Sequence, residues 1–373
     1  MKSTVKTLAS AATLTTATLS MTPLHAGGLD RTGTPIDLIF ETGNYAELSF
    51  GMSSADVTGR DTLGNSISNV AGDFSVVGGG LKMQFTEKFS FSLIFDQPYG
   101  ADVKYGGNPA TTMLGGTMAT ADSKALTTIF KYNITDRYSV YAGPRVVEAQ
   151  GEITLSGLAY GPLNGYNVKF NSDRGLGYVV GTAYEIPDIA LRASLTYHSA
   201  VELDLGTVQT APGGVPTATP PTTAKIPQSL KLAVQSGVAP NTLVFGSLRW
   251  SEWSKFQLDT FGPTPNLADV DDSVTFEIGV GRRFSDKFSA RVSYIYEMGG
   301  SDDLVSPLTP VNGQHAMSVG GKYQINDQLS LSGGVRYTWL GNAQPETGTP
   351  DVARASFSGN HALSAGLKIG VNF

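Results

Sequence analysis

The sequence of 373 residues contains no cysteine, so no disulfide framework can hold its fold. Charged residues make up only 16% of the chain, and the formal net charge is −6. A concentrated basic patch of the kind that marks nucleic-acid binding is therefore not expected, and we predict no nucleic-acid partner. After the N-terminal segment, no run of 18 or more apolar residues occurs, which excludes a membrane-spanning helix.

The N-terminus has the pattern of a secretory signal peptide. Lys2 and Lys6 precede a weakly apolar stretch, and the small residue Ala26 stands before Gly27. This pattern predicts that residues 1–26 are removed on export. An exported chain without cysteine either stays soluble or crosses a membrane as a β-barrel.

A short phrase of the form aromatic or Ile, polar, acidic, polar recurs along the chain, as in FTEKFS, ITDRYS, FSDKFS and INDQLS. Long segments in which apolar and polar side chains alternate follow each phrase. Period two predicts β-strands, and their length exceeds the roughly 5–6 residues usual in soluble domains and suits a tilted crossing of a bilayer. Each phrase is therefore predicted to be a tight turn, and the turns centre on Glu87, Asp136, Asp188, Asn241, Asp286 and Asp327.

The turns alternate with seven long connections rich in Gly, Pro, Thr and Asp, which together require fourteen strands. Short turns on one side and long loops on the other are typical of outer-membrane barrels, and hydrocarbon offers no partner to an open sheet edge. We predict an all-β fold, a 14-stranded antiparallel transmembrane β-barrel over residues 43–373, with a soluble β-sandwich or propeller as the alternative. The predicted strands are 43–53, 72–86, 88–99, 122–134, 137–155, 166–186, 188–205, 227–237, 241–260, 272–285, 287–298, 314–325, 328–341 and 356–373.

The last predicted strand ends at Phe373, on an aromatic side chain in the lipid-facing parity. It resembles the terminal strand that the assembly machinery of bacterial outer-membrane proteins recognises. This resemblance implies that machinery as a partner and the bacterial outer membrane as the location. Aromatic girdles are expected near strand ends, and the candidates are Phe89, Tyr138, Phe288, Tyr296, Trp339 and Phe373.

Charged side chains occur in one parity of the strands, which predicts that they face the lumen. A barrel of fourteen strands has a wider lumen than one of eight. The charges either pair with one another or leave some arginines to bind an anionic head group, because a guanidinium matches a carboxylate. The candidate substrate-binding arginines are Arg145, Arg192, Arg291 and Arg336, and the acidic residues of the same parity are Asp96, Glu185, Glu277 and Glu297.

Two loops have unusual compositions. The loop after Tyr105 contains Met113, Leu114 and Met118 among polar residues, so it either binds a hydrophobic ligand at the outer face or packs on its neighbours. The Pro/Thr/Gly tract that begins at Val208 is expected to be flexible and exposed.

Three stretches resemble the outer-membrane long-chain fatty acid and hydrocarbon transporter family of the FadL/TodX type. They are GGLDRTG at 27–33, GNYAELSFG at 43–51 and FDQPYGADVKY at 95–105. The resemblance implies a fourteen-stranded barrel that carries hydrophobic molecules, such as long-chain fatty acids or aromatic hydrocarbons, across the outer membrane. It also implies an N-terminal plug in the lumen, and a kinked strand that opens a side gap through which the ligand leaves into the membrane lipid.

The chain departs from this family at its N-terminus. Full plugs in the family are longer and include an Asn-Pro-Ala element, whereas only residues 27–42 precede the first predicted strand here, and the Asn-Pro-Ala at 108–110 falls in a predicted extracellular loop. The short segment either folds into the lumen as a minimal plug or hangs below the barrel. The plug candidates are Asp30, Arg31, Ile36, Leu38, Ile39 and Phe40.

Proline and glycine mark positions where a wall strand could bend. Pro144 falls inside the fifth predicted strand, where it removes a backbone donor, so a bulge or side gap is predicted next to that strand. Glycines 78–80 and 333–334 are permissive for a bulge, and Pro98 ends the third predicted strand.

We predict a passive channel for hydrophobic small molecules, with a general diffusion porin for small polar solutes as the alternative. A hydrolase is the third possibility, because His198, His315 and His361 are available and Glu202 follows His198. No HExxH motif and no Walker loop occurs in the sequence. We therefore predict no enzymatic activity, no cofactor and no metal site.

Overall fold

The fold was analysed in a computed structural model. No helix in its described part is long and apolar enough to cross a membrane. The predicted signal peptide lies outside the described residues. These are 29–260, 266–268, 270–300, 302–348 and 350–373.

A single antiparallel sheet closes on itself. Strand β1 (Tyr45–Asp56) pairs with β2 (Phe74–Gln84) on one side and with β14 (His361–Asn372) on the other. Fourteen wall strands form the barrel, which confirms the predicted fold class. The strands between β2 and β14 are β3 in two parts, Phe89–Asp96 and Gly100–Lys104; β4, Met118–Asn133; β5, Tyr138–Leu155; β6, Tyr166–Ile186; β7 in two parts, Leu191–His198 and Val201–Thr210; β8 in two parts, Thr217–Ile226 and Ser229–Ala239; β9, Thr242–Ser251; β10, Ser273–Arg283; β11, Phe288–Glu297; β12, Gln314–Gln324; and β13, Leu329–Leu340.

The alternation along each strand separates a lipid-facing surface from a lumen. In β14, Leu363 and Leu367 are exposed on the outside, whereas Ala362, Ser364 and Lys368 are buried on the inside. The four arginines and four acidic residues assigned above to the lumenal parity are all buried or half-buried. The parity predicted from the sequence therefore holds around the barrel.

The recurring polar phrase forms the same turn at one end of the barrel. The N–H groups of Phe85 and Thr86 donate to Phe89 O at 3.1 and 3.2 Å, and Phe89 N–H donates to Thr86 Oγ1 at 3.0 Å. The first polar residue of the phrase thus caps the turn with its side chain. The same cap joins Thr135 to Tyr138, Ser285 to Phe288 and Asn326 to Leu329.

At the other end, the long loops pack on one another. The buried side chains of Val57, Tyr105, Leu114 and Phe357 belong to one apolar cluster between these loops. The loops also contain short strands at Gly59–Asp61, Ser66–Ile67, Leu304–Val305, Gln344–Thr347, Val352–Ala353 and Ala355–Phe357, and 3-10 turns occur at Asp37–Phe40, Leu158–Leu163, Pro187–Ile189 and Trp253–Lys255.

The predicted bounds of two strands were wrong. The eighth strand begins at Thr217 instead of 227, and its first part contains Pro220 and Pro221. Proline is tolerated there because this part pairs with β7 alone and has a free edge. The ninth strand ends at Ser251 rather than 260, because the chain turns inward and buries Trp253 against the ring of Tyr99.

Candidate functional site: a gap between two wall strands and the N-terminal segment beside it

The ladder between β2 and β3 stops part-way along both strands. Gly79 pairs with Phe95, but residues 74–78 of β2 pair only with β1. The two chains meet again nearer the extracellular loops, where Gly72 N–H donates to Asp102 O at 2.9 Å. We call the unpaired stretch between residues 73–78 and 96–101 the β2–β3 window.

A bend in β3 produces this window. Asp96 pairs with Ala125 of β4, but Gly100 pairs with Asp122, so the register shifts by one residue across the bend. Pro98 lies within it and has no N–H for a ladder. The side chain of Gln97 replaces part of the lost pairing, because Val77 N–H donates to its Oε1 at 2.7 Å.

The N-terminal segment pairs with β3 at this bend. Arg31 N–H donates to Pro98 O at 2.7 Å, and Gly100 N–H donates to Leu29 O at 2.9 Å. The side chain of Thr32 adds a hydrogen bond to Asp96 Oδ2 at 3.0 Å. The bent part of β3 thus has residues 29–32 as its neighbour where β2 is missing.

Arg31 reaches through the wall at the window. Its Nη1 forms an ion pair with Asp122 Oδ1 at 3.1 Å; the Arg31 side chain is 8% exposed and that of Asp122 is 68% exposed. The guanidinium lies 4.6 Å from the centre of the Phe74 ring. It also covers Gly100 so closely that a Cβ added there would overlap it. The charge is therefore held between a ring, a glycine and an outward-facing carboxylate.

Asp30, the residue before it, faces the interior. Its carboxylate is fully buried and forms an ion pair with Arg249 of β9. Asp30 Oδ1 also accepts a hydrogen bond from Gly33 N–H at 2.8 Å. This pair ties the N-terminal segment to the far wall of the lumen, because an isolated buried charge would be unfavourable.

The second half of the segment is apolar. Ile36, Leu38 and Ile39 are buried in a cluster with Ile94, Ile129, Tyr141 and Val179, which come from four different wall strands. Phe40 completes this contact, with the Arg192 guanidinium 4.3 Å and the Lys131 ammonium 4.8 Å from its ring centre. Five of the six plug candidates are thus in contact with the inner face of the barrel, whereas the Arg31 side chain extends to Asp122.

Two small cavities adjoin the window, one on each side of residues 29–32. The cavity nearer the extracellular loops measures about 50 Å³ and has Leu29, Arg31 and Leu308 in its mostly apolar lining. The other measures about 30 Å³ and has Leu38 and Phe95 in its lining. Both are smaller than the cavity of about 150 Å³ that accommodates benzene.

A third cavity of about 220 Å³ lies among the extracellular loops. Its described lining contains carboxylates and no basic side chain, so it is electrostatically unfavourable for anions. The acidic residues of the lining are Asp271, Asp272, Glu297, Asp302, Glu346 and Asp351.

Arg145 is the most deeply buried of the four candidate arginines, with 1% exposure. Its Nη1 and Nη2 atoms make no hydrogen bond with the described residues. Asp96 and His198 are among the titratable residues near it, and the Tyr99 ring centre lies 5.8 Å from the guanidinium carbon. Two buried donors without partners are unusual in a folded protein and mark a position where an anion or water would bind.

The other three arginines are placed elsewhere in the lumen. Arg192 donates to Gln235 Oε1 at 3.2 Å and packs on Phe40. Arg291 and Arg336 are neighbours of each other and of Glu277. The structure therefore does not gather the four candidates into a single site.

Two of the three apolar side chains of the extracellular loop after Tyr105 pack within the loops. Leu114 is 1% exposed within the loop cluster, with Met113 packed against that cluster. Met118 is the first residue of β4, opposite Lys104 and Thr154. This arrangement corresponds to packing on neighbours, the second of the two predicted possibilities for the loop.

The histidines lie apart from one another. His198 is buried in the lumen, whereas His315 packs on Trp339 and His361 stacks on Tyr337.

At Pro144, the ladder between β5 and β6 continues without a break. The ladder between β5 and β4 lacks two residue pairs there, but its register is the same on both sides. The strands remain in contact there, so the predicted side gap is not at Pro144.

Sequence reasoning missed Asp122, Phe74 and the pairing of Asp30 with Arg249. One signal for Asp122 was available, because it is an acidic residue in the lipid-facing parity, where charges are unfavourable. The pairing of Asp30 with Arg249 left no local signal, because the two residues lie 219 positions apart.

Comparison with known proteins identifies this architecture. The model of the family described as outer membrane protein transport protein (OMPP1/FadL/TodX) matches residues 40–370. The chain belongs to the OMPP1/FadL/TodX family. This membership confirms the resemblance seen in the sequence. No curated protein has a sequence that matches the chain at a significant level.

Solved structures show the same fold as this OMPP1/FadL/TodX protein. A FadL homologue of Pseudomonas aeruginosa is similar with a TM-score of 0.71 and 15% identity, covering 95% of this chain and 98% of that chain. The toluene transporter TodX of P. putida has a TM-score of 0.64 and 16% identity, with 90% and 92% covered. The toluene transporter TbuX of Ralstonia pickettii has a TM-score of 0.63 and 14% identity, with 89% and 90% covered.

Family and fold together give the protein's location and general activity. It is an outer-membrane β-barrel channel of a family that transports hydrophobic compounds. The family consists of transport proteins rather than enzymes. The comparisons give no support to the alternative of a general diffusion porin.

Proposed function

We propose that this channel releases hydrophobic small molecules sideways into the outer membrane, through the β2–β3 window. The observation that carries the proposal is the loss of β2–β3 pairing over residues 73–78, beside the exposed apolar side chains of Val77 and Phe95. A break in strand pairing within hydrocarbon is unfavourable, because it leaves backbone groups without partners. We therefore assign a function to this break. Cargo then passes from the loops, past the N-terminal segment, to the lipid.

The N-terminal segment serves as a minimal plug in this proposal. Its buried Asp30–Arg249 ion pair and its apolar contacts through Ile36, Leu38 and Ile39 support that role. Cavities of about 30 and 50 Å³ leave no room for cargo beside it. Uptake therefore requires the segment to shift or to bend locally.

Cargo with one carboxylate fits the lumen best. Arg145 supports this class, because its two terminal nitrogens are buried without a hydrogen-bond partner among the described residues. A carboxylate would accept from both nitrogens at once. Long-chain fatty acids have this chemistry, and their apolar tails suit the contacts of the N-terminal segment.

Neutral aromatic hydrocarbons are the second candidate cargo. The similar structures of TodX and TbuX are those of toluene transporters, which favours this class. The acidic cavity among the extracellular loops also favours an uncharged molecule over an anion.

Two further partners belong to the proposal. The lipid-facing side chains of β14 end at Phe373, which is exposed, as an assembly-recognition strand requires. We propose that the outer-membrane assembly machinery binds this strand during insertion. Outer-membrane lipid is the second partner, as the phase that receives the cargo.

A cross-link across the window tests lateral release. The chain has no cysteine, so Val77→Cys and Gln97→Cys can be joined selectively by a short bifunctional thiol reagent. Val280→Cys and Val292→Cys provide the matched control, because these residues already face each other in the β10–β11 ladder. We expect the window cross-link to stop uptake of labelled laurate and toluene by cells, and the control cross-link to leave it unchanged. Equal uptake with both cross-links would contradict lateral release.

Substitution of Arg145 separates the two cargo classes. Charge-assisted hydrogen bonds contribute about 1.5–3 kcal/mol, so Arg145→Met should lower laurate uptake by about tenfold or more. Toluene uptake should stay near that of the unsubstituted protein. Arg291→Met, in another part of the lumen, is the control. If toluene uptake falls and laurate uptake does not, neutral hydrocarbon is the cargo that uses this position.

A further inference from the structure

We infer that Arg31 and Asp122 form a latch on the β2–β3 window. While the ion pair is made, the Arg31 guanidinium separates the apolar cavity beneath Leu308 from the membrane. Cargo leaves when Arg31 releases Asp122. This inference rests on the proposed lateral release and adds the group that controls it.

The position of Arg31 carries the inference. It lines the cavity of about 50 Å³ together with Phe74 and Gly100, which are two edges of the window. Its ion-pair partner lies outside, because the Asp122 side chain is 68% exposed. The side chain thus begins on the inner N-terminal segment, passes between β2 and β3 and ends at the outer surface of β4. Any molecule that moves from this cavity to the lipid must pass it.

The side chain is held more weakly than the backbone from which it extends. Residues 29–32 are fixed by backbone hydrogen bonds to Pro98 and Gly100 and by the buried pair of Asp30 with Arg249. The guanidinium of Arg31 has one ion pair among the described residues, with Asp122, and its Nε is buried without a hydrogen-bond partner. It also lies against the Phe74 ring, at 4.6 Å, and against Gly100. The side chain can therefore swing away while the segment stays in place.

The size of the cavities requires such a movement. Spaces of about 50 and 30 Å³ on the two sides of residues 29–32 are too small for a benzene ring. Withdrawal of the guanidinium from the gap between Phe74 and Gly100 would enlarge the first cavity toward the lipid. Apolar cargo would then be removed from water and packed against Phe74, which offsets the loss of the cation–π contact between Arg31 and this ring.

The latch is tested with three variants, measured by initial rates of toluene uptake in cells. Arg31→Met keeps an apolar side chain of similar length and removes the charge, and Asp122→Asn removes the partner. Asp102→Asn is the matched control, because Asp102 lies just beyond the window and interacts with Arg31 through its charge, without an ion pair among the described residues. A difference in electrophoretic migration between heated and unheated samples shows that each variant forms a folded barrel.

We expect Arg31→Met and Asp122→Asn each to raise the uptake rate about two- to fivefold, the range given by a partly exposed ion pair. Asp102→Asn should leave the rate unchanged. Added salt should raise the rate of the unsubstituted channel slightly and have little effect on Arg31→Met, because salt screens a partly exposed pair only in part. The combination of Arg31→Asp with Asp122→Arg should restore a rate near the original.

Three results would overturn the latch. Unchanged rates in Arg31→Met and Asp122→Asn, with uptake still stopped by the window cross-link, would remove the latch and leave lateral release standing. Unchanged rates in these variants and in the cross-linked channel would remove both. A lower rate in Arg31→Met would show that Arg31 binds cargo instead of blocking it.

Discussion

Asp30 and Arg249 form an ion pair between residues 219 positions apart, and it joins the N-terminal segment to β9. Asp30 also lies next to the bend of β3, where it bridges Tyr99. Strands β3 and β9 are six strands apart around the barrel, so the pair spans the lumen. Neighbouring residues of one short segment therefore attach the proposed plug to the far wall and line the window.

Asp30→Asn is expected to loosen the segment. It leaves the Arg249 charge buried without its partner, and breaking a buried pair in this way costs about 3–5 kcal/mol. Hydrogen exchange should become faster at the amides of Arg31 and Gly33. In the unsubstituted protein these amides donate to Pro98 O and to Asp30 Oδ1. Asp286→Asn, an exposed change in a short turn, is the control. Unchanged exchange in the variant would mean that the pair does not hold the segment.

Gly100→Ala is expected to displace the Arg31 side chain without unfolding the barrel. The added Cβ would overlap the guanidinium, and the end of a flexible side chain can move. A single Thr32→Cys reporter, in a chain with no other cysteine, should then react faster with a membrane-soluble maleimide. Gly333→Ala is the control, because its nearest neighbour lies at 3.6 Å. Equal reaction rates in both backgrounds would contradict the overlap.

Thr86→Ala is expected to destabilise the barrel modestly. The substitution removes the hydroxyl that accepts Phe89 N–H at 3.0 Å, and such a hydrogen bond contributes about 0.5–1.5 kcal/mol. Thr86→Ser should retain most of the stability, and Thr135→Ala should show a similar loss, because it forms the same cap with Tyr138. The free energy of unfolding in urea measures the effect. A loss with serine as large as that with alanine would argue against the cap.

Asp61 is expected to make the packing of its extracellular loop depend on pH. Burial alone would raise the pKa of this carboxyl, but hydrogen bonds from the Asn65 side chain and from the N–H groups of Met113, Asn65 and Leu63 lower it below 3.8. A lowered folded-state pKa stabilises the loop above the unfolded-state value, and that stabilisation is lost as the pH falls through the folded-state value. Protection of the Met113 amide against hydrogen exchange, relative to an unstructured amide at the same pH, should therefore fall only in strongly acidic solution.

Asp61→Asn tests this dependence. The variant lacks the titrating carboxylate, so the protection of its Met113 amide against exchange should be lower at neutral pH and should change little between neutral and acidic solution. A pH profile that is the same in the two proteins would assign the effect to another group.

Local patterns accounted for most of the barrel. The parity of β14 follows from alternation within one strand, and the turn at Phe85 follows from a side chain three residues away from the N–H that it caps. The eighth and ninth strands were harder to predict, because Pro220 depends on a free edge and Trp253 on a partner, Tyr99, in a distant strand.

The sequence by itself determined the number of strands, the side chains that face lipid and the family to which the channel belongs. These properties depend on period two, on turn chemistry and on short motifs, all of which act between residues close in the chain. Only the tertiary structure decided where the wall opens and which acid meets which arginine. The opening depends on the register of β3 against two neighbours, and the pairing of Arg31 with Asp122 depends on a side chain passing through that opening.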